Sequence, residues 1–224
     1  MPRLRPKLIL LPLILFVAAT LVPSYPAHLH SGEFMVPGQW QDANPGPYII
    51  SLTVVVDEDW QRMFGVDSEE QARLVVERSA AQLRPANIDL RFATLKSWTS
   101  SDDDGLTLHS VLDTLERSHT PLAADMVLGL TAGQYEGNVD GVARPRSPYV
   151  VVKHHPRRGE RDAYVLTHEI GHVLGLDHHA CPDGRCIMAD HKYDPQAHWC
   201  SDHLELLKGN GGYFHYLRDA GSQV

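Results

Sequence analysis

From residue 48 onward the chain alternates between short β-branched apolar runs and stretches whose apolar residues recur at helical spacing. "YIISLTVVVD" (48–57) is continuous and β-branched, the pattern of a buried strand. From Ser68, "SEEQARLVVERSAAQLRPAN" brings a capping residue, acids in the first turn, and Ala72, Val75, Val76, Ala80 and Leu83 at helical spacing. "IDLRFATL" (88–95) alternates as a second strand, and "LTLHSVLDTLERS" (106–118) reads as a helix. "ADMVLGLT" (124–131) and "YVVVKH" (149–154) are further buried strands, and the Gly-rich connection between them holds a short edge strand at Val142–Arg144. A helix follows from about Glu160 to Leu174; beyond Gly175 periodicity fades, apart from a short helix near His203–Lys208. This order predicts an α/β fold: a mixed twisted sheet with an antiparallel edge strand, two or three helices, and a small irregular C-terminal subdomain.

Before residue 48 the pattern differs. Arg3, Arg5 and Lys7 precede an uncharged apolar run from Leu8 to Val22, which reads as an export signal. The run is short for a membrane span, which needs about 20 residues. No clear cleavage site follows, so residues 1–23 are expected to be a signal peptide or an N-terminal membrane anchor. Residues 24–47, rich in Pro, Gly and polar residues, are a linker, and 48–224 form the folded domain. The protein is expected outside the cytoplasm, secreted or membrane-attached, and as a monomer.

Charge narrows the partners. A formal net charge of −8 argues against nucleic acid or an anionic membrane surface, which want clustered Lys and Arg. The basic run Arg157, Arg158 and Arg161 alternates with acids and reads as a solvated loop. Asp102, Asp103 and Asp104 read as a solvated turn in preference to a calcium loop. Three cysteines, all after residue 180, are not a disulfide scaffold spread over a domain.

The chemistry is concentrated in "THEIGHVLGLDHH" (167–179). On a helix, His168 and His172 project from one face about one turn apart, as two imidazoles on one zinc require. Leu166, Ile170, Val173 and Leu174 take the opposite side. Glu169 is offset by about 100°, beside the metal and able to take a proton from its bound water. His178 could join only if the chain turns back after the helix, because six more helical residues would carry it about 9 Å along the axis. Gly175 stands where that turn is needed. Three histidines plus water make an open, catalytic zinc site. His154 and His155 read as strand-end surface residues, His191 and His198 as surface residues near the tail, and His179 as a neighbour able to orient His178.

His168, Glu169, His172, Gly175 and His178, followed by "CIM" with Met188, resemble the metzincin metalloproteases. The resemblance implies an active-site helix ending at the Gly turn and a Met-turn beneath the histidines, with Met188 in it. It also places Val142, Ala143 and Arg144 along the cleft, paired with an extended substrate backbone. Within the clan, Cys181, four residues, then Cys186, Ile187 and Met188 resemble archaemetzincins, although Cys181 comes three residues after His178 instead of directly after it. Cys200 and His203 stand where that branch carries its later cysteine pair. Adamalysins are second: they share "CIM" but place Asp where this chain has His179. No Tyr stands two places after Met188, so the tyrosine ligand of astacins is missing. Cys181, Cys186, Cys200 and His203 could form a structural zinc site; the alternative is a Cys181–Cys186 disulfide with Cys200 left over.

These residues predict a zinc endopeptidase acting on polypeptide or peptide substrates, with one catalytic Zn²⁺ and room for a structural one. Its rivals are a non-catalytic exported zinc-binding interaction module and a zinc amidase on cell-wall peptides.

Overall fold

The computed structural model describes residues 47–100, 106–121, 124–156, 159–178, 181, 184–189 and 193–210. The expected N-terminal segments (Pro47 apart), Asp102–Asp104, Arg157, Arg158, His179 and His191 lie outside the described residues. No helix among those described is long and apolar enough to cross a membrane.

Five strands form one sheet: β1 (Tyr48–Val56), β2 (Ile88–Ser97), β3 (Met126–Thr131), β4 (Gly141–Ala143) and β5 (Tyr149–Lys153). Their order is β2-β1-β3-β5-β4, and β4 alone runs antiparallel, against β5. The helices are α1 (Glu58–Phe64), α2 (Ser68–Leu83), α3 (Leu108–Ser118), α4 (Gly159–Val173) and α5 (Ser201–Asn210). The fold class is the expected one.

Each strand sorts its side chains by the two-residue period of the pleat. Leu52, Val54, Met126, Leu128, Val150 and Val152 join the core formed with α2 and α4. Val55, Val127 and Val151 pack on the other face, against Val111, Leu112 and Leu115 of α3. With helices on both faces β1, β3 and β5 are buried twice, which is why they read as continuous apolar runs, while the edge strand β2 alternates. Gly129 of β3 lies on the α3 face, where a Cβ would stand 3.2–3.3 Å from Leu115, Trp98 and Val151. Between α2 and α4, the buried hydroxyls of Ser79 and Thr167 meet at 2.9 Å.

Three expectations change. α1 was not legible: it is seven residues long with a single buried side chain, Trp60, too short to show a period. Its signal is the cap, Asp57, whose carboxylate accepts the Trp60 N–H at 2.8 Å. The edge strand lies one residue earlier than expected, at Gly141–Ala143, and Arg144 leaves it. The Arg144 guanidinium instead pairs with Asp113 and Glu116, two carboxylates one turn apart on α3. His154 and Arg161 are not solvated surface groups. His154 packs edge-on against Trp60 and Phe64, and its Nδ1 lies 2.5 Å from the buried Asp162 carboxylate. Arg161 belongs to α4 and pairs with Asp140 beside β4.

Candidate metal centre and cleft

α4 crosses the sheet face with Leu166, Ile170, Val173 and Leu174 buried beneath it, which turns His168 and His172 the other way. The helix ends as its sequence requires. Gly175 takes φ +85°, the Leu176 N–H donates to the Gly171 carbonyl and the Gly175 N–H to that of His172, both at 2.9 Å. This left-handed cap reverses the chain. It brings His178 to the first two histidines.

The three Nε2 atoms form a nearly equilateral triangle with edges of 3.1, 3.0 and 3.0 Å. Two of the rings have their other nitrogen fixed. His168 Nδ1–H donates to the Ile187 carbonyl at 2.7 Å, and His172 Nδ1–H to the Leu176 carbonyl at 2.8 Å. A carbonyl can only accept, so both protons sit on Nδ1 and both Nε2 lone pairs face inward. Burial lowers the pKa of His172, favouring that neutral, ligand-competent form. Lone pairs this close repel unless a cation lies among them. Two nitrogens on a tetrahedral zinc are about 3.3 Å apart, so the donor set fits that ion.

Glu169 is buried, 6% exposed. Burial pushes its carboxyl up to about 8, opposed by a hydrogen bond from the Ala143 N–H. That bond follows from the register of β4. Asp140 and Val142 turn toward β5, Lys153 N–H donating to the Asp140 carbonyl at 2.7 Å, so Gly141 and Ala143 present their backbone groups to the cleft. Gly141 permits the close approach: a Cβ there would collide with Val165 and stand 2.9 Å from the Glu169 carboxylate.

Met188 is fully buried beneath α4, and a Cβ on Gly171 would collide with its sulfur. The neighbouring Ile187 carbonyl, besides holding His168, accepts the Tyr164 hydroxyl at 3.3 Å. Sequence reasoning passed over Gly171, Gly141 and Tyr164. Gly171 had a readable signal, since a glycine inside a helix costs about 1 kcal/mol and marks close packing.

A second cluster lies behind the turn. Ligand atoms of Cys181, Cys186, Cys200 and His203 all fall within 4.8 Å of one another. Cys186 and Cys200 sulfurs stand 3.1 and 3.3 Å from His203 Nδ1, and no disulfide joins the cysteines. Burial raises the pKa of Cys181 and Cys186, an environment unfavourable to thiolates without a cation.

His168, Glu169, His172 and His178 line a cleft of about 540 Å³ together with Val142 and Ala143 of β4. Arg144, turned onto α3, is not among its lining residues. No family model matches the sequence. Among solved structures, the chain is similar to archaemetzincin from Methanopyrus kandleri, with a TM-score of 0.54 and 22% identity over 75% of this chain and 98% of that one.

The archaemetzincin fold is shared.

A chain in a chaperone–substrate complex is also similar, with a TM-score of 0.59 and 15% identity. That match covers 76% of this chain and 35% of the other, so this chain spans about a third of its length. At these identities the archaemetzincin likeness is one of fold. The site rests on its own geometry.

The Gly175 cap gives that geometry a test. Replacing Gly175 by Ala puts a Cβ at φ +85°, at a cost of about 1–2 kcal/mol. The strain falls on the carbonyl that holds His172 and on the path to His178. Gly175→Ala is therefore expected to weaken metal binding about tenfold, read by competition against a fluorescent chelator. Unchanged affinity would show that the turn does not position these histidines.

Proposed function

We propose that this chain is a zinc-dependent endopeptidase. The observation that carries this reading is the Nε2 triangle with two Nδ1 protons locked outward, beside a buried carboxylate and an edge strand. His168, His172 and His178 would hold the ion, which supplies a Lewis acid and a bound water acidic near neutrality. The backbone groups that Gly141 and Ala143 turn toward the cleft would align the peptide as an added strand beside Val142. Glu169 accepts the proton of the attacking water and returns it to the leaving amine. Cys181, Cys186, Cys200 and His203 would hold a second, structural zinc and so tie the tail to the Met188 turn. The protein works outside the cytoplasm, directed there by its N-terminal segment.

The direct test is incubation of the full chain with a diverse peptide mixture, read by mass spectrometry before and after metal removal by a chelator. Internal cuts that vanish with the metal and return on adding Zn²⁺ are expected. Zinc binding without cleavage of any peptide would replace this reading by a zinc-binding module or an amidase of another substrate.

A further inference from the structure

A second recess of about 290 Å³ lies next to the cleft and shares Tyr164 and Tyr193 with it as lining residues. Arg78 and Gln82 of α2 form one wall, Glu160 of α4 another, and Asp194 follows Tyr193 along the third. We propose that this recess is a substrate subsite that takes a lysine or arginine side chain. The proposal rests on the endopeptidase reading and adds a substrate class to it.

The polar groups favour a cation. Glu160 and Asp194 contribute two carboxylates, Asp194 holding the Gln196 N–H on its Oδ1 at 2.8 Å and keeping its Oδ2 for a cation. The Tyr193 hydroxyl reaches Glu160 only at 3.5 Å, and Arg185 stands 3.8 Å from Asp194. The Gln82 amide oxygen is buried without a hydrogen-bond partner, a deficit that a donor entering the recess could relieve after a small rotation. The rings of Tyr164 and Tyr193 meet edge to face with centroids 5.4 Å apart, and a tyrosine face attracts a cation held over it. Among the described lining residues Arg78 is the one cation, exposed at the rim of α2. A net charge of −8 adds a long-range field that draws cationic peptides in.

Position follows from helix geometry. Ala163 and Glu160 line the recess and precede His168 by five and eight residues, about 7.5 and 12 Å along the axis. An extended peptide advances about 3.4 Å per residue. The basic side chain therefore belongs within about four residues of the cleaved bond, at one fixed position.

The test uses the zinc-loaded full chain carrying Glu169→Ala, which retains peptides without consuming them. Heptapeptide pools, each with one position fixed as Arg, Gln or Glu, are captured and read by mass spectrometry. At one position the Arg pool is expected to be retained about tenfold over the Glu pool, a difference of about 1.4 kcal/mol. The preference should fall to parity in Glu160→Gln/Asp194→Asn and grow in Arg78→Gln. Retention without positional preference, or a Glu preference abolished by Arg78→Gln, overturns the subsite. Wild-type chain that cuts nothing while the Arg preference holds would refute the peptidase and leave the subsite standing.

Discussion

Glu169→Ala is expected to lower kcat by a factor of 10²–10⁴ while leaving bound zinc unchanged. The carboxylate is offset around α4 from His168 and His172 and does not belong to the Nε2 triangle, so removing it leaves the donor set intact. It is held instead by the Ala143 N–H, on the strand along which the peptide would lie. Truncation would remove the proposed proton carrier and leave the three histidines in place. Zinc content by elemental analysis and kcat on a peptide found to be cut decide the matter together. A variant that keeps full activity would show that another group carries the proton. One that loses its metal would make Glu169 a support of the site.

Cys186→Ser is expected to release one equivalent of zinc and to lower stability by about 3 kcal/mol, or roughly 6–12 °C in Tm. Cys186 is 1% exposed, its sulfur lies 3.1 Å from His203 Nδ1, and it accepts the N–H groups of Met188 and Cys200. It thereby joins the Met188 turn to the start of α5. The isolated bridge between Cys186 and His198 runs through the same point, with the Ile187 N–H on the His198 carbonyl at 2.9 Å. The Ile187 carbonyl that fixes His168 is one residue away. Loss of the cluster should therefore also loosen the cluster of His168, His172 and His178. Metal analysis with calorimetry, with and without reductant, checks this. A melting point that falls with reductant but not with chelator would mean a disulfide in solution and no second zinc.

Much of this arrangement was legible because it is local. His168 and His172 share a face because four residues make about one helical turn. Gly175 was readable as the reversal, since a left-handed cap favours glycine and the spacing to His178 allowed no continued helix. The inner strands β1, β3 and β5 announced themselves as apolar runs because both faces of the sheet are covered there. The outer features were harder. α1 has one buried residue and no period, and the boundaries of β4 depend on how β5 lies beside it. Arg144 looked like part of a strand, but attraction to two acids of α3, 28 and 31 residues away, decided its place. His154 and Asp162 are eight residues apart across a loop, and nothing in their spacing predicted that they would pair.

The sequence by itself determined the fold class, the helix that carries His168, Glu169 and His172, and the glycine at its end. Those follow from periodicity and backbone sterics, which act over a few residues. Only the tertiary structure decided which carbonyls lock the two Nδ1 protons and which glycines admit Met188 and Glu169. It alone drew Cys181, Cys186, Cys200 and His203 together, and opened a recess between α2 and the tail. These depend on groups far apart in the chain meeting at fixed distances, and such meetings are set by the packing of whole elements.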